Sequence, residues 1–256
     1  MRSFHHAPTG ETFATSCARE FRLWRSRDAA PIGEAVALNS TSKIRLVQYT
    51  SDGTLVSVCS SVRDAQCHIL STVDGQQPRE VIEIPGMTFA TIDHTGERLL
   101  VGFWNRLELW RRSPLERIKV LGNHDRNIVQ IGCSMHNDLA YSLGEDRTVR
   151  IWNLATGERV GRPMVGIDIN SRFILRPDGQ WLAVHVQGKI VEHWHVATGR
   201  RLGGPKLGLS GKGQLSWAGF EEFGYSSDSR ELVLLSADNT YPLMTAPTDP
   251  RALRAF

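Results

Sequence analysis

No apolar run in this sequence approaches the ~20 residues that a membrane-spanning helix needs. Segments such as LVSV, LLVGF and FILRP are each cut short by Gly, Asp, Asn or Pro. The N-terminal MRSFHHAPTG has no apolar stretch and no small-residue cleavage site, so the sequence gives no secretory signal and the expected compartment is the cytoplasm. Cysteine is scarce: Cys17, Cys59, Cys67 and Cys133 lack any CxxC spacing and sit in strand-like apolar runs. They read as reduced core residues rather than disulfides or zinc ligands. Lysine is scarcer than arginine, with only Lys43, Lys119, Lys189, Lys206 and Lys212 among 30 basic residues, and the net charge of +3 carries no argument for nucleic acid or membrane. What remains is a globular chain of 256 residues, 41% apolar and 22% charged, with room for one large core or two small ones.

What the sequence does have is a period. Aligning FRLW, CHIL, LELW, VRIW, VEHW and YPLM places anchors at Trp24, Leu70, Trp110, Trp152, Trp194 and Met244, spaced by 46, 40, 42, 42 and 50 residues. Columns that did not define the alignment support it. Three residues before the anchor stand Phe21, Cys67, Leu107, Val149, Val191 and Tyr241, and one before it Leu23, Ile69, Leu109, Ile151, His193 and Leu243. Between them lie Arg22, His68, Glu108, Arg150, Glu192 and Pro242, so the runs alternate with period two, as strands do. Gly75, Gly157 and Gly199 follow the anchor by five residues, and an earlier turn recurs as PTGE, SDGT, HTGE, HNDL, PDGQ and SDSR. Each unit reads strand, turn, strand, short turn, strand, and a connector with an outer strand. Such a unit cannot bury both its faces alone, whereas units arranged radially cover one another. The expected fold is an all-β, single-domain β-propeller over residues 1–256, built of four-stranded antiparallel blades, with six blades or an incomplete set of seven.

The segment NHDRNIVQIGCSMHNDLAYSLGEDRTVRIWNLATG resembles a WD-repeat unit, and the likeness extends with decreasing quality over essentially the whole chain. The resemblance implies a structural hydrogen-bonded tetrad of His124, Ser142, Asp146 and Trp152, which lie at the family's places 28, 10 and 6 residues before the Trp. Unit two keeps Ser60 and Asp64 but has Leu70 for the Trp, unit six keeps Asp238, and the others have lost the set. The chain departs from the family where the name-giving Asp should follow the Trp: Arg25, Arg111, Asn153 and His195 stand there. Pro242 falls in what should be a central strand, where a missing N–H breaks the ladder. The connectors GERVGRPMVG and GRRLGGPKLG resemble those of bacterial multidomain proteins in which WD repeats follow a kinase or another signalling module. With the abrupt first unit, this suggests the C-terminal part of a longer signalling polypeptide. No kinase element is present in the sequence.

Chemistry is sought in three places. His185, His193 and His195 are the candidate ligands for a metal or a central pocket, and the reading preferred is no metal: His193 replaces an aliphatic residue, and Glu192 points to the other face. No GxSxG or activated Cys occurs, and the tetrad's Ser, His and Asp read as structural. Glu221 and Glu222 read as a solvated loop rather than a glycosidase pair. The expectation is therefore no catalytic residue and no cofactor. What remains is the rim on which the resemblance places partner docking, with Arg19, Arg63, Asn105, Arg106, Arg126, Arg147 and Lys189. Guanidinium groups bind carboxylates and phosphates bidentately, so the expected partner is an acidic or phosphorylated protein segment. The expected function is a non-catalytic protein-binding scaffold. A ligand- or metal-binding propeller and a degenerate fragment are the alternatives.

Overall fold

A computed structural model describes residues 3–17, 20–37, 44–60, 66–72, 80–185, 191–202, 220–225, 231–236 and 240–245. Within them all regular structure is β, without a helix. The first sheet runs β1 (Ser3–His6), β2 (Thr12–Ser16), β3 (Glu20–Arg25), β4 (Pro31–Ala37). The second runs β5 (Ile44–Tyr49), β6 (Leu55–Ser60), β7 (Cys67–Ser71), β8 (Glu80–Ile82), and the third β9 (Phe89–Ile92), β10 (Arg98–Phe103), β11 (Arg106–Arg111), β12 (Glu116–Asn123). The fourth has β13 (Ile128–Cys133), β14 (Leu139–Gly144), β15 (Thr148–Asn153) and β16 (Glu158–Val165). The fifth has β17 (Arg172–Leu175), β18 (Trp181–His185), β19 (Val191–His195) and β20 (Arg200–Arg201). Three strands, β21 (Phe220–Tyr225), β22 (Glu231–Ser236) and β23 (Thr240–Thr245), form the sixth. In every sheet the strands lie in sequence order, and each of the six anchors falls in the third strand.

The turn chemistry explains these hairpins. Asp52 accepts from Thr50 Oγ1 at 2.6 Å and from the backbone N–H of Thr54 at 3.0 Å, while Gly53 takes φ +69°. An Asx turn with a left-handed Gly reverses the chain at no steric cost. Pro242 lies in β23 opposite Val233, beside a register slip, on the outer side of the three described strands. That is where a residue without an N–H is tolerated.

The chain divides into two compact units, residues 1–146 with 152–158, and residues 147–151 with 159–256. In the first unit, successive sheets share apolar clusters. Phe21 and Leu23 meet Val56, Val58 and Leu70; Cys67 and Ile69 meet Ala90, Leu99 and Val101; Leu100, Leu107 and Leu109 meet Ile131, Ala140 and Trp152. Leu99 and Leu100 are neighbours in sequence and both fully buried, so the third sheet is covered on both faces. This is why the polar column departs from simple alternation: His68 and Glu108, at positions expected to face water, are buried.

The cysteine expectation is overturned. Cys59 and Cys67 form a disulfide, because they are direct cross-strand partners in the β6–β7 ladder, 4.2 Å apart at Cα. Cys17 is exposed rather than in the core, and only Cys133 is a buried free thiol, its pKa pushed up by burial.

Candidate functional site

The four tetrad residues are brought together in the first unit. Trp152 Nε1 donates to Ser142 Oγ at 2.9 Å, Ser142 Oγ lies 2.8 Å from His124 Nε2, and His124 Nδ1 lies 3.1 and 3.2 Å from the two Asp146 oxygens. With the indole donating, one proton order satisfies every atom: Ser142 O–H donates to Nε2, and the Nδ1–H donates to the carboxylate. Asp146 also accepts the backbone N–H of Asp125 at 3.0 Å. Two glycines make room. A Cβ on Gly144 would stand 2.6 Å from both His124 Nδ1 and Asp146 Oδ1, and one on Gly122 would stand 2.7 Å from the Trp152 ring. The Ser–His–Asp order is that of a hydrolytic triad, but Ser142 is fully buried and its oxygen already accepts the indole, so a substrate has no approach to it.

The other anchor tryptophans satisfy their indoles differently. Trp24 donates to Thr15 Oγ1 at 2.8 Å, Trp110 to Glu108 at 2.9 Å and Trp194 to Glu192 at 3.2 Å. A Glu two residues before a Trp shares its face of the strand, which puts the carboxylate beside the indole. The three units that have lost the tetrad but kept its Trp therefore keep the indole bond with another acceptor, a signal present in the sequence as E-x-W for Trp110 and Trp194 but not for Trp24, whose acceptor is the cross-strand neighbour Thr15.

The rim residues have unequal roles. Arg19, Arg63 and Lys189 lie outside the described residues, as do Asp64 and Asp238. Asn105 is a latch: its carbonyl accepts the His124 N–H at 2.8 Å, and its Nδ2 donates to the His124 carbonyl at 3.1 Å. Arg106 is 2.9 Å from the buried carboxylate of Glu108 and packs over the Phe103 ring at 5.2 Å, so much of its charge is spent within the sheet. Arg126 is exposed on the loop joining β12 to β13 and has no ion-pair partner among the described residues. Three backbone bonds stitch this face: Ile128 N to Trp104 O at 2.6 Å, His124 N to Asn105 O, and Glu145 N to Asn127 O at 2.8 Å. In the second unit Arg147 is exposed at φ +61°, its carbonyl accepting from Gly166 and Ile167.

His185, His193 and His195 share a face of the fifth sheet, since their pairing partners are Val191, Ala183 and Trp181. Their ligand atoms do not converge to metal-binding distance. His193 is buried, and its pKa is lowered to about 4, first by desolvation and then by the charge of Arg176. His195 Nδ1 is 3.0 Å from Thr198 Oγ1. Among the described residues, Asp93, His94 and Asp138 do converge, with one ligand atom from each inside 4.8 Å. Arg98 already bonds both carboxylates, Asp93 through Nε at 2.7 Å and Asp138 through a terminal nitrogen, so a metal would meet a fixed positive charge there. Glu221 and Glu222 fall in β21 rather than in the loop expected.

A comparison with protein-family models finds no match to this chain, and a comparison with the curated proteins finds none either.

Proposed function

We propose that the chain is a WD-repeat-type β-propeller domain, working without a cofactor in the cytoplasm as a non-catalytic platform for a protein partner and forming part of a larger signalling assembly. The observation that carries this reading is the Trp152–Ser142–His124–Asp146 relay, which ties one four-stranded sheet of a repeated series to its entry loop and inner turn. Such a relay fixes the loop before the sheet and the turn inside it, which makes a rigid surface rather than a reactive one. On this reading the loops with exposed arginines take an acidic or phosphorylated segment of the partner.

The test is a partner isolated by affinity capture and then purified, with its affinity measured against the parent and against Arg126→Glu. We expect a loss of several-fold and a weaker salt dependence, since rim charges act mainly on association. A purified partner that binds both proteins equally would remove this loop from the reading.

A further inference from the structure

The turn closing β10 and β11 holds a residue that its geometry disfavours. Phe103 pairs with Arg106, leaving Trp104 and Asn105 as a two-residue turn, and Trp104 sits at φ +48°. A left-handed first position in such a turn suits Asn, Asp or Gly, whereas a bulky side chain there is strained. The strain brings no burial in return, because Trp104 is 66% exposed. Its conformation is imposed from outside, by the bonds from Ile128 N to its carbonyl and from His124 N to the carbonyl of Asn105. Backbone strain of this kind clusters at active sites, ligand clamps and switch regions, and Trp and Arg are among the residues enriched in binding hot spots.

We propose that Trp104 is the aromatic anchor of a docking site for an acidic peptide segment, with an apolar peptide side chain on the indole and a peptide carboxylate on Arg126. This rests on the interaction reading above and deepens it. Arg126 belongs to the loop whose two ends, His124 and Ile128, are bonded to the Trp104–Asn105 turn, so backbone bonds hold the two segments side by side. The acids in this loop and in the turns bonded to it include Asp125, Glu145 and Asp146, and Glu108 is paired with Arg106. Asp146 is engaged by His124 and by the Asp125 N–H, while the exposed Arg126 guanidinium has no ion-pair partner among the described residues. In sequence, the corresponding turn of four further units carries Arg19, Arg63, Arg147 or Lys189, which is the charge an acidic occupant needs.

The experiment pans a phage library of random dodecapeptides against the full chain, and measures the enriched peptides by fluorescence polarisation against the parent, Trp104→Gly and Arg126→Glu. We expect acidic peptides with a large apolar residue, whose affinity falls about tenfold or more in each variant. Trp104→Gly should melt at or above the parent temperature, since Gly accepts positive φ. If Trp104→Gly unfolds the protein, the indole is framework and the proposal falls. If acidic peptides bind, lose affinity in Arg126→Glu and keep it in Trp104→Gly, the anchor is wrong while the broader acidic-segment reading stands. Trp104-dependent peptides without acidic residues would overturn the stated occupant, and no enrichment, or binders indifferent to both changes, would sink both readings.

Discussion

Asp146 is the residue on which the fourth sheet's polar set turns. It accepts from His124 and from the Asp125 backbone, so Asp146→Ala leaves a buried imidazole N–H without its acceptor. The expected cost is ~1–3 kcal/mol, read as a lower urea midpoint with an unchanged m-value. Gly144→Ala should destabilise through a different route, by forcing a methyl between His124 and Asp146, and combining it with Asp146→Ala should cost less than the two changes separately. His193 makes a definite contribution to the pH dependence, in the same direction as His136 and His185, whose pKa values burial also lowers. Its folded pKa, about 4, lies below the ordinary value of 6.5, so the unfolded chain takes up the proton first as pH falls. Its contribution is whole above pH 6.5, lost progressively down to about 4 and flat below. Urea titrations at neutral and acid pH should show a smaller acid loss for His193→Leu than for the parent, because Leu23, Ile69, Leu109 and Ile151 fill the same column elsewhere.

At the scale of strands and sheets, the disulfide and the doubly covered core give the clearest expectations. Under denaturing conditions without reductant, thiol titration should find two free groups, Cys17 and Cys133, and four after reduction. Finding four at once would remove the link. Since Cys59 and Cys67 are eight residues apart, joined across strands already paired, reduction should lower stability by only about 2 kcal/mol or less. Leu100→Ala opens a cavity between the third and fourth sheets and should cost ~2–5 kcal/mol by chemical denaturation. The strands themselves were legible because turn residues and alternation recur at a fixed spacing; the disulfide was not. It depends on which β6 residue stands opposite Cys67, and a one-residue slip would have turned the thiols to opposite faces. The strained Trp104 was equally hidden. FWNR reads as an ordinary turn until the closing pair Phe103–Arg106 fixes which two residues must reverse the chain.

For the molecule as a whole, no helix among the described residues is long and apolar enough to cross a membrane. The sequence disclosed the repeat across the chain and the complete tetrad of one unit. It left the roles of Asn105 and Arg106 unread, because a latch and an ion pair require partners that only the folded chain supplies. Within the first unit each interior sheet gives one face to the sheet before it and the other to the sheet after it. Energetic influence there should consequently travel like a disturbance along a row of dominoes, strong to the adjacent member and faint beyond. Truncating Leu109 and Ile131 together should be markedly non-additive, whereas truncating Leu23 and Ile131 should be a plain sum.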